Sequence, residues 1–323
     1  MTAITSASAV LGALLIAILQ ATSAQALNNR SWVSRTGSDA NPCSVAQPCA
    51  TFQHAHDATV PGGEISVLTP GDYSFVNITK SIGITNDGSG EAGILATSGI
   101  AAVFVNAGAG DVVSLRGLVL EGAVSGDFGI FFTTGSALHV QNCVIRNFQG
   151  TQGFGILFGN HGHSKLFVSD TIIFNNGTNG PTGGILVIPQ TAADSADVTL
   201  DRVHSENNVV GLRVDAGVGS ARVIVRQSVF SGNLGPGIYA LNVNFTDPGA
   251  LIVVDKSTAA NNGAAGIRAE GTHANVLLSG STITRNGTGV EAIDGGQLIS
   301  YGNNRNNNNI GAEGTATAFF SLF

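Results

Sequence analysis

The amino-acid sequence predicts an all-β protein, a right-handed parallel β-helix with three short strands in each coil and capped ends. Three repeating features predict it: glycine followed by an aliphatic residue, short segments of alternating apolar and polar residues, and turns rich in asparagine. The glycine step recurs at intervals of 23 to 29 residues, a spacing typical of solenoids. The steps are Gly129-Ile130, Gly155-Ile156, Gly184-Ile185, Gly211-Leu212, Gly237-Ile238, Gly266-Ile267 and Gly289-Val290.

Each period contains two further strand-like segments, such as Leu166-Phe167-Val168 and Ile172-Ile173. Strands this short cannot form a core by themselves. When the chain coils around three sides, each strand pairs with its equivalent in the next coil, and the inward aliphatic residues stack in columns. The segment lengths and the glycine and β-branched content argue against a helical solenoid.

The asparagine-rich turns place one asparagine at the same position of successive periods. Asparagine tolerates the left-handed backbone conformation and hydrogen-bonds nearby backbone groups. We therefore predict a ladder in which each side chain hydrogen-bonds its neighbour in the next coil. Its members are Asn176, Asn208, Asn233, Asn262 and Asn286.

Charge and composition limit the function classes. The chain has 323 residues, with 14 Lys and Arg against 21 Asp and Glu, for a formal net charge of −7. Nucleic acid is excluded as a partner, because neutralising phosphates requires a basic surface. Charged residues make up only 11% of the chain and glycine occurs 44 times, which favours strands and turns over helices.

The first 26 residues are predicted to be a signal peptide. An apolar run from Ala9 to Leu19 precedes Ala24-Gln25-Ala26, the small-x-small pattern of a cleavage site. The run is too short to span a bilayer comfortably. We therefore expect a secreted or periplasmic protein with no membrane span in the mature chain.

The mature chain is predicted to consist of three parts. Residues 27–62 form an N-terminal cap that includes a short helix near residues 51–59, because an open β-helix end exposes unpaired strand edges. Residues 63–301 form the parallel β-helix. Residues 302–323, which begin with an asparagine-rich run, form a C-terminal cap or tail.

The three cysteines indicate one disulfide and one free thiol. Cys43 and Cys49 lie in a turn-rich loop of an exported chain, which favours a disulfide between them. Cys143 lies among strand residues and is expected to be buried. No Cys/His spacing resembles a zinc site, so we expect neither a metal nor a cofactor.

The N-terminal region resembles the start of bacterial exported β-helix proteins. The resemblance rests on Trp32-Val33-Ser34, Gly37, Asp39-Ala40-Asn41-Pro42-Cys43, Pro48-Cys49-Ala50-Thr51-Phe52, Gly62-Gly63-Glu64-Ile65, Pro70-Gly71 and Ile78-Thr79-Lys80-Ser81-Ile82. It extends over nearly all of the mature chain and implies the pectate-lyase-like superfold. It implies an architecture and no activity, because this family has no settled activity and a fold does not determine a function.

The catalytic segments of polygalacturonase-like and pectate-lyase-like enzymes are absent from the sequence. His161-Gly162-His163 is the nearest approach to a Gly-His-Gly segment, but its order is inverted. With Lys165, these histidines form a candidate metal or anion site or, as the alternative that we favour, an exposed turn.

Outward-facing positions after the glycine steps yield one candidate binding patch. Because side chains alternate across a strand and coils stack about 4.8 Å apart, five residues should form a patch about 10 Å long. They are Arg213, Asp215, Tyr239, Arg268 and Glu270. Arginine binds sugar carboxylates or sulfates, tyrosine stacks on sugar rings, and two carboxylates can act as acid and base. The alternative is a solvated face held by ion pairs between coils.

Three functions are compatible with these observations. The first is an exported β-helix of uncharacterised activity that contacts a polysaccharide, acidic in our expectation, along one flank. The second is a polysaccharide lyase or glycoside hydrolase that uses Asp215 and Glu270 with Arg213 or Arg268. The third is a structural or adhesive surface protein.

A second charged group (Asp201, Arg202, His204 and Glu206) is expected to pair with Arg226 and Lys256 on neighbouring coils.

Overall fold

The computed structural model describes residues 27–97, 99, 101–242 and 249–321. Within them the chain forms a right-handed parallel β-helix with three sheets, which confirms the predicted fold class. The predicted signal peptide lies outside the described residues. No helix in the described part of the chain has the length and apolar character needed to cross a bilayer.

Sheet A is the largest of the three sheets and contains twelve parallel strands. Its strands are Asn28–Val33, Thr59–Val67, Ile82–Thr85, Val112–Arg116, Ala137–Gln141, His163–Ser169, Ser195–Asp201, Ser220–Arg226, Ala250–Asp255, Ala274–Ser279, Gln297–Ser300 and Ala318–Phe319. The first strand comes from the segment predicted to cap the N-terminus, and the last comes from the predicted C-terminal cap. Both segments therefore continue sheet A, and the division into caps and β-helix stays a prediction.

Sheet B contains ten strands, most of them shorter than those of sheet A. They are Gly71–Asp72, Ala92–Leu95, Leu118–Glu121, Val144–Arg146, Ile172–Phe174, His204–Glu206, Val229–Ser231, Thr258–Ala260, Thr282–Thr284 and Arg305–Asn307. Each strand follows a sheet A strand after a short corner.

Sheet C contains nine strands and closes the third side. They are Val76–Ile78, Ala101–Asn106, Phe128–Thr134, Phe154–Phe158, Gly183–Val187, Val210–Asp215, Ile238–Leu241, Ala265–Glu270 and Thr288–Ile293. The glycine steps lie at the entrance to these strands, and the aliphatic residue after each glycine is buried.

One short helix, Phe52–Ala58, lies at the N-terminal end of the solenoid, where a helix was predicted. Thr51 caps it by accepting a hydrogen bond from the backbone N–H of His54 at 3.1 Å. Phe52 is fully buried, and its ring lies 5.0 Å from the ring of Tyr73. The helix therefore covers apolar residues that the first coils would otherwise expose.

The corner between sheets B and C contains the asparagine ladder. Asn233 accepts a hydrogen bond from the backbone N–H of Asn208 at 3.0 Å, and its own amide donates to Asn262 Oδ1 at 2.9 Å. Asn262 donates in the same way to Asn286, and Asn286 donates to Asn309. The five predicted members are all at most 1% exposed, so these bonds satisfy polar groups that water does not reach.

The left-handed residue at this corner differs from the predicted one. The sequence interpretation assigned the left-handed conformation to the ladder asparagines, whereas the residue before each of them adopts it. These residues are Asn175, Asn207, Gly232, Asn261 and Arg285. The two roles separate because the left-handed residue turns the chain, and the next side chain then points inward to its partners.

The glycine steps provide the space that the ladder occupies. A Cβ atom on Gly211 would lie 2.9 Å from Asn233 Nδ2, and one on Gly237 would lie 2.7 Å from Asn262 Nδ2. Neither glycine has a positive φ, so the requirement is for space and not for backbone freedom. The glycine and asparagine repeats are therefore coupled, because each ladder amide packs into the space left by a glycine without a side chain.

The corner between sheets A and B contains a second ladder, which sequence analysis missed. The backbone N–H of Ser228 donates to Ser257 Oγ at 3.1 Å, and that of Ser257 donates to Ser281 Oγ at 3.2 Å. In each coil from residue 142 to residue 281 this corner has two residues, of which the first is left-handed. The spacing between sheets A and B is therefore constant along this part of the molecule.

We expect Asn233→Ala to lower the free energy of unfolding by about 2 to 4 kcal/mol. The substitution leaves the buried backbone N–H of Asn208 without an acceptor. Urea denaturation measures the effect. Asn275→Ala is the matched control, because Asn275 lies on the partly exposed outer side of its strand. Equal effects of the two substitutions would show that the ladder contributes nothing specific.

We expect Arg285→Asn to raise the free energy of unfolding by about 1 kcal/mol. Arg285 has φ 57°, a conformation that asparagine adopts at lower cost, and its side chain is exposed. Thermal unfolding measures the gain. The control is Arg222→Asn, an exposed strand position with ordinary φ where asparagine is unfavourable. A loss of stability in Arg285→Asn would contradict the assignment.

Candidate functional site

The outer face of sheet C brings the five predicted patch residues together. Arg213 pairs in register with Tyr239, and Tyr239 pairs with Arg268. Asp215 and Glu270 occupy the parallel column two positions further along their strands, separated by Leu241. The predicted column of outward residues is therefore present, with successive members about 4.8 Å apart.

Every charged group of the patch has a partner inside it. Arg213 donates to Asp215 Oδ2 at 2.7 Å. The Tyr239 hydroxyl donates to Glu270 Oε2 at 2.5 Å. Arg268 donates to Glu291 Oε2 at 2.7 Å from Nε, and its Nη1 lies 3.8 Å from Glu270 Oε2. With Glu291 of the next coil, which lies beside the patch, three carboxylates surround two guanidinium groups, so this surface has no excess positive charge.

Tyr239 lies between the two arginines. The Arg213 guanidinium carbon is 5.7 Å from the centre of its ring, and that of Arg268 is 5.6 Å away, both within cation–π range. Burial raises the pKa of Tyr239 well above its usual range, and the hydrogen bond to Glu270 raises that pKa further. Tyr239 is therefore a neutral hydrogen-bond donor at ordinary pH, held in one orientation.

This pairing bears on the proposed acid and base roles. Asp215 is occupied by Arg213, and Glu270 is occupied by Tyr239. Both carboxylates are thus already engaged by donors of the protein itself. The geometry of the patch thus favours a fixed polar surface over a pair of catalytic carboxylates.

A groove adjoins the patch, and sequence analysis missed it. Its volume is about 560 Å³, and its floor includes Phe131, Leu157 and Leu186, which continue the Arg213 column in register. Arg213 and Asp215 close one end. The floor is apolar and most of the remaining lining is uncharged, a composition typical of ligand sites.

Long loops on both sides of sheet C form the walls of this groove. Residues 175–182 precede the strand Gly183–Val187 and contribute Asn179, Pro181 and Thr182 to the lining. His161 and Gln190 line the opposite side. In the next coil only residues 207–209 connect sheet B to sheet C, so the wall ends there. Unequal interval lengths are the sequence signal from which these walls could have been predicted.

A second cavity of about 400 Å³ continues the groove toward the N-terminal coils and shares Phe131 with it. The ring of Phe131 lies 5.3 Å from that of Phe104 and 4.8 Å from that of Phe128. Phe75, which is 48% exposed, lines the far end. The outer face of sheet C therefore carries an aromatic surface at one end and the charged patch at the other.

The histidine turn lies at the edge of this groove. His161 Nδ1 is 3.5 Å from Asp194, and His163 Nε2 is 3.4 Å from Asp197. Both histidines are more than half exposed. Each histidine thus has its own carboxylate, and the two do not converge on one point.

The second charged group forms a network across neighbouring coils of sheet A. Arg226 donates to Asp201 at 3.0 Å, and Arg202 bridges Asp201 and Asp170. Lys256 has no carboxylate within 4.0 Å among the described residues, so the pairing expected for it is wrong. Lys256 occupies the left-handed corner position, outside the strand register that brings Asp201 and Arg226 together.

The cysteines behave as the sequence predicts. Cys43 and Cys49 form a disulfide, and Cys143 is a buried free thiol. Burial raises the pKa of Cys143 to about 11, so it is not a reactive nucleophile. Cys43, Cys49 and His54 form the one group within the described ranges whose ligand atoms lie close enough together for a metal. The disulfide removes the thiolates that a metal would bind.

Comparisons with known proteins identify the fold. No protein-family model and no curated protein sequence matches the chain. Among solved structures, pectate lyase Pel9A has a TM-score of 0.59 at 15% identity, with 92% of this chain and 80% of that chain covered. A rhamnogalacturonan lyase has a TM-score of 0.45 at 14% identity, covering 84% and 75% of the two chains. The GH136 lacto-N-biosidase from Eubacterium ramulus has a TM-score of 0.44 at 10% identity, covering 90% and 67%.

The chain is thus a right-handed parallel β-helix of the kind found in pectate lyases. The resemblance predicted from the N-terminal motifs and the repeats is confirmed at the level of fold. Sequence identities this low show a shared fold and do not show a shared activity.

We expect the Tyr239 hydroxyl to remain protonated at pH values where an exposed tyrosine ionises, about 10. Ultraviolet titration of tyrosinate, taken as the difference between the native protein and Tyr239→Phe, isolates this residue. In Glu270→Gln the pKa of Tyr239 should fall, because the carboxylate that disfavours its ionisation is lost. An unchanged titration in that variant would exclude the hydrogen bond in solution.

Proposed function

We propose that this protein is an exported β-helix that binds a polysaccharide along the outer face of sheet C. The observation that carries the proposal is one continuous surface: the two cavities and the charged patch lie along a single column of outward residues. Such a surface offers apolar contact area together with a few fixed polar groups, as saccharide and cofactor sites do.

The dimensions of this surface suit an extended chain. Five register steps separate Asn77 from Arg213, through Phe104, Phe131, Leu157 and Leu186. At about 4.8 Å a step, the groove is roughly 24 Å long. A pyranose unit of an extended glycan spans a length close to one coil, so successive sugars can meet successive residues of the column.

Export of the protein belongs to the same proposal. The predicted signal peptide supports a location in the periplasm or outside the cell. The disulfide between Cys43 and Cys49 is compatible with an oxidising compartment. Extended polysaccharides are abundant outside the cell, where such a surface would meet them.

Catalysis is the alternative function, because the solved structures with a similar fold include a pectate lyase. A lyase or a glycoside hydrolase acting here would use Asp215 and Glu270. Incubation with acidic and neutral polysaccharides tests it directly, since a lyase produces unsaturated sugars and a hydrolase produces new reducing ends. Products that disappear in both Asp215→Asn and Glu270→Gln would establish an enzyme and replace the non-catalytic proposal.

Leu157→Glu tests the binding proposal, because it places a charge and a longer side chain on the apolar floor of the groove. We expect the native protein to bind at least one polysaccharide in affinity electrophoresis, and Leu157→Glu to bind it at least about tenfold more weakly. Ile224→Glu is the matched control, since Ile224 is an exposed apolar residue on the outer face of sheet A. Circular dichroism verifies that both variants fold.

Two results would contradict the proposal. One is the absence of binding to every member of a broad glycan panel, which would leave a structural or adhesive role. The other is binding that Ile224→Glu weakens and Leu157→Glu does not, which would place the site on sheet A.

A further inference from the structure

We infer that the groove takes a neutral glycan, recognised by aromatic stacking and hydroxyl hydrogen bonds, and not an acidic one. The inference rests on the proposed function and names the ligand class of the same site. It replaces the acidic polysaccharide expected from the arginines in the sequence.

The charge balance of the surface is the first argument. Arg213 and Asp215, paired at 2.7 Å, close the groove. Beyond them, Arg268 contacts both Glu270 and Glu291. To reach the guanidinium nitrogens that are already paired, a carboxylate or sulfate on the ligand would have to displace a carboxylate that is only 17 to 30% exposed. Displacement leaves a partly buried charge without its partner, which is strongly unfavourable.

The aromatic surface is the second argument. Phe104, Phe128 and Phe131 present adjoining rings to the groove, with Phe131 at the junction of the two cavities. The C–H faces of a pyranose are apolar, so burying them against aromatic rings is favourable and needs no charge. Among the residues that line either cavity, those with ionisable side chains are His161, Arg213 and Asp215.

Two unpaired polar atoms are the third argument. Asn77 Oδ1 and Arg213 Nε are buried and have no hydrogen-bond partner in the described part of the chain. Asn77 lines one cavity and Arg213 lines the other. A buried polar atom without a partner is unusual and calls for a ligand or water.

The chemistry of these two atoms matches that of sugar hydroxyl groups. Asn77 Oδ1 requires a donor and Arg213 Nε requires an acceptor. A sugar hydroxyl supplies both functions, whereas an ionised carboxylate only accepts. Hydroxyl groups at the two ends of a bound chain therefore satisfy both atoms, and neither atom needs a charge on the ligand.

Calorimetric titration of the native protein with two sets of probes tests the inference. The neutral probes are glucomannan, xyloglucan and β-1,3-glucan, and the acidic probes are polygalacturonate and alginate. We expect binding of at least one neutral probe, with an affinity that changes less than about twofold when salt is raised from about 0.1 M to about 1 M. Acidic probes should bind at least about tenfold more weakly.

Phe131→Ala should weaken neutral binding about tenfold, because it removes the central ring of the stacking surface. Phe167→Ala is the matched control: Phe167 also lies on an outer sheet face and stacks on His139 at 4.6 Å, but on sheet A. It should leave the affinity unchanged. Asn77→Ala should also weaken binding. It should not lower the stability of the protein without a ligand, because the oxygen that it removes has no hydrogen-bond partner among the described residues.

The outcomes separate the two proposals. Tighter binding of an acidic probe, lost in high salt, overturns the neutral-glycan inference and retains a polysaccharide site. Neutral binding that Phe131→Ala does not change overturns the inference as well. Absence of binding to both sets of probes overturns the inference, and absence of binding to the broad glycan panel as well overturns the proposed function.

Discussion

The packing of asparagine against glycine at the corner between sheets B and C is the interaction on which the rest of the structure depends. The ladder amides occupy space that a Cβ atom on Gly211 or Gly237 would fill. They satisfy buried backbone groups of successive coils. In this way they fix the rise of each coil along the solenoid axis and its rotation about that axis. From Asn176 onward the ladder holds the start of this corner in the same place in each coil, and this helps to align the outward residues of sheet C. The candidate site is thus a consequence of the corner.

Much of the fold could be predicted because a solenoid repeats its physical requirements. A glycine step, a short alternating segment and a buried asparagine recur in nearly every period, and the repetition distinguishes them from chance. Two details could not be predicted in this way. The left-handed residue precedes the ladder asparagine, and at Arg285 its identity gives no hint of that conformation. The serine ladder through Ser228, Ser257 and Ser281 escaped notice because serine is common in strands and turns alike.

The candidate site was predictable in part for a similar reason. Alternation along a strand is enough to place Arg213, Tyr239 and Arg268 in one column. It does not reveal that their charges are already paired, since ion pairing depends on rotamers and on Glu291 in a further coil. The regular part of the repeat does not reveal the groove, because its walls are loops that interrupt the repeat and appear in the sequence only as unequal intervals. Function on this scaffold therefore depends on departures from the pattern that specifies the fold.

The constant two-residue corner between sheets A and B has a consequence for how such a molecule can change over generations. Between residues 137 and 284 sheets A and B keep the same spacing in every coil, and variation in period length there falls where the chain enters or leaves sheet C. In this stretch the two sheets form a ribbon of constant width. An insertion there lengthens a wall without altering the phase of any other coil. Descendants of one ancestral chain can therefore acquire different clefts on sheet C while the ribbon opposite stays nearly unaltered, and divergence in these connections should outpace divergence in the ribbon.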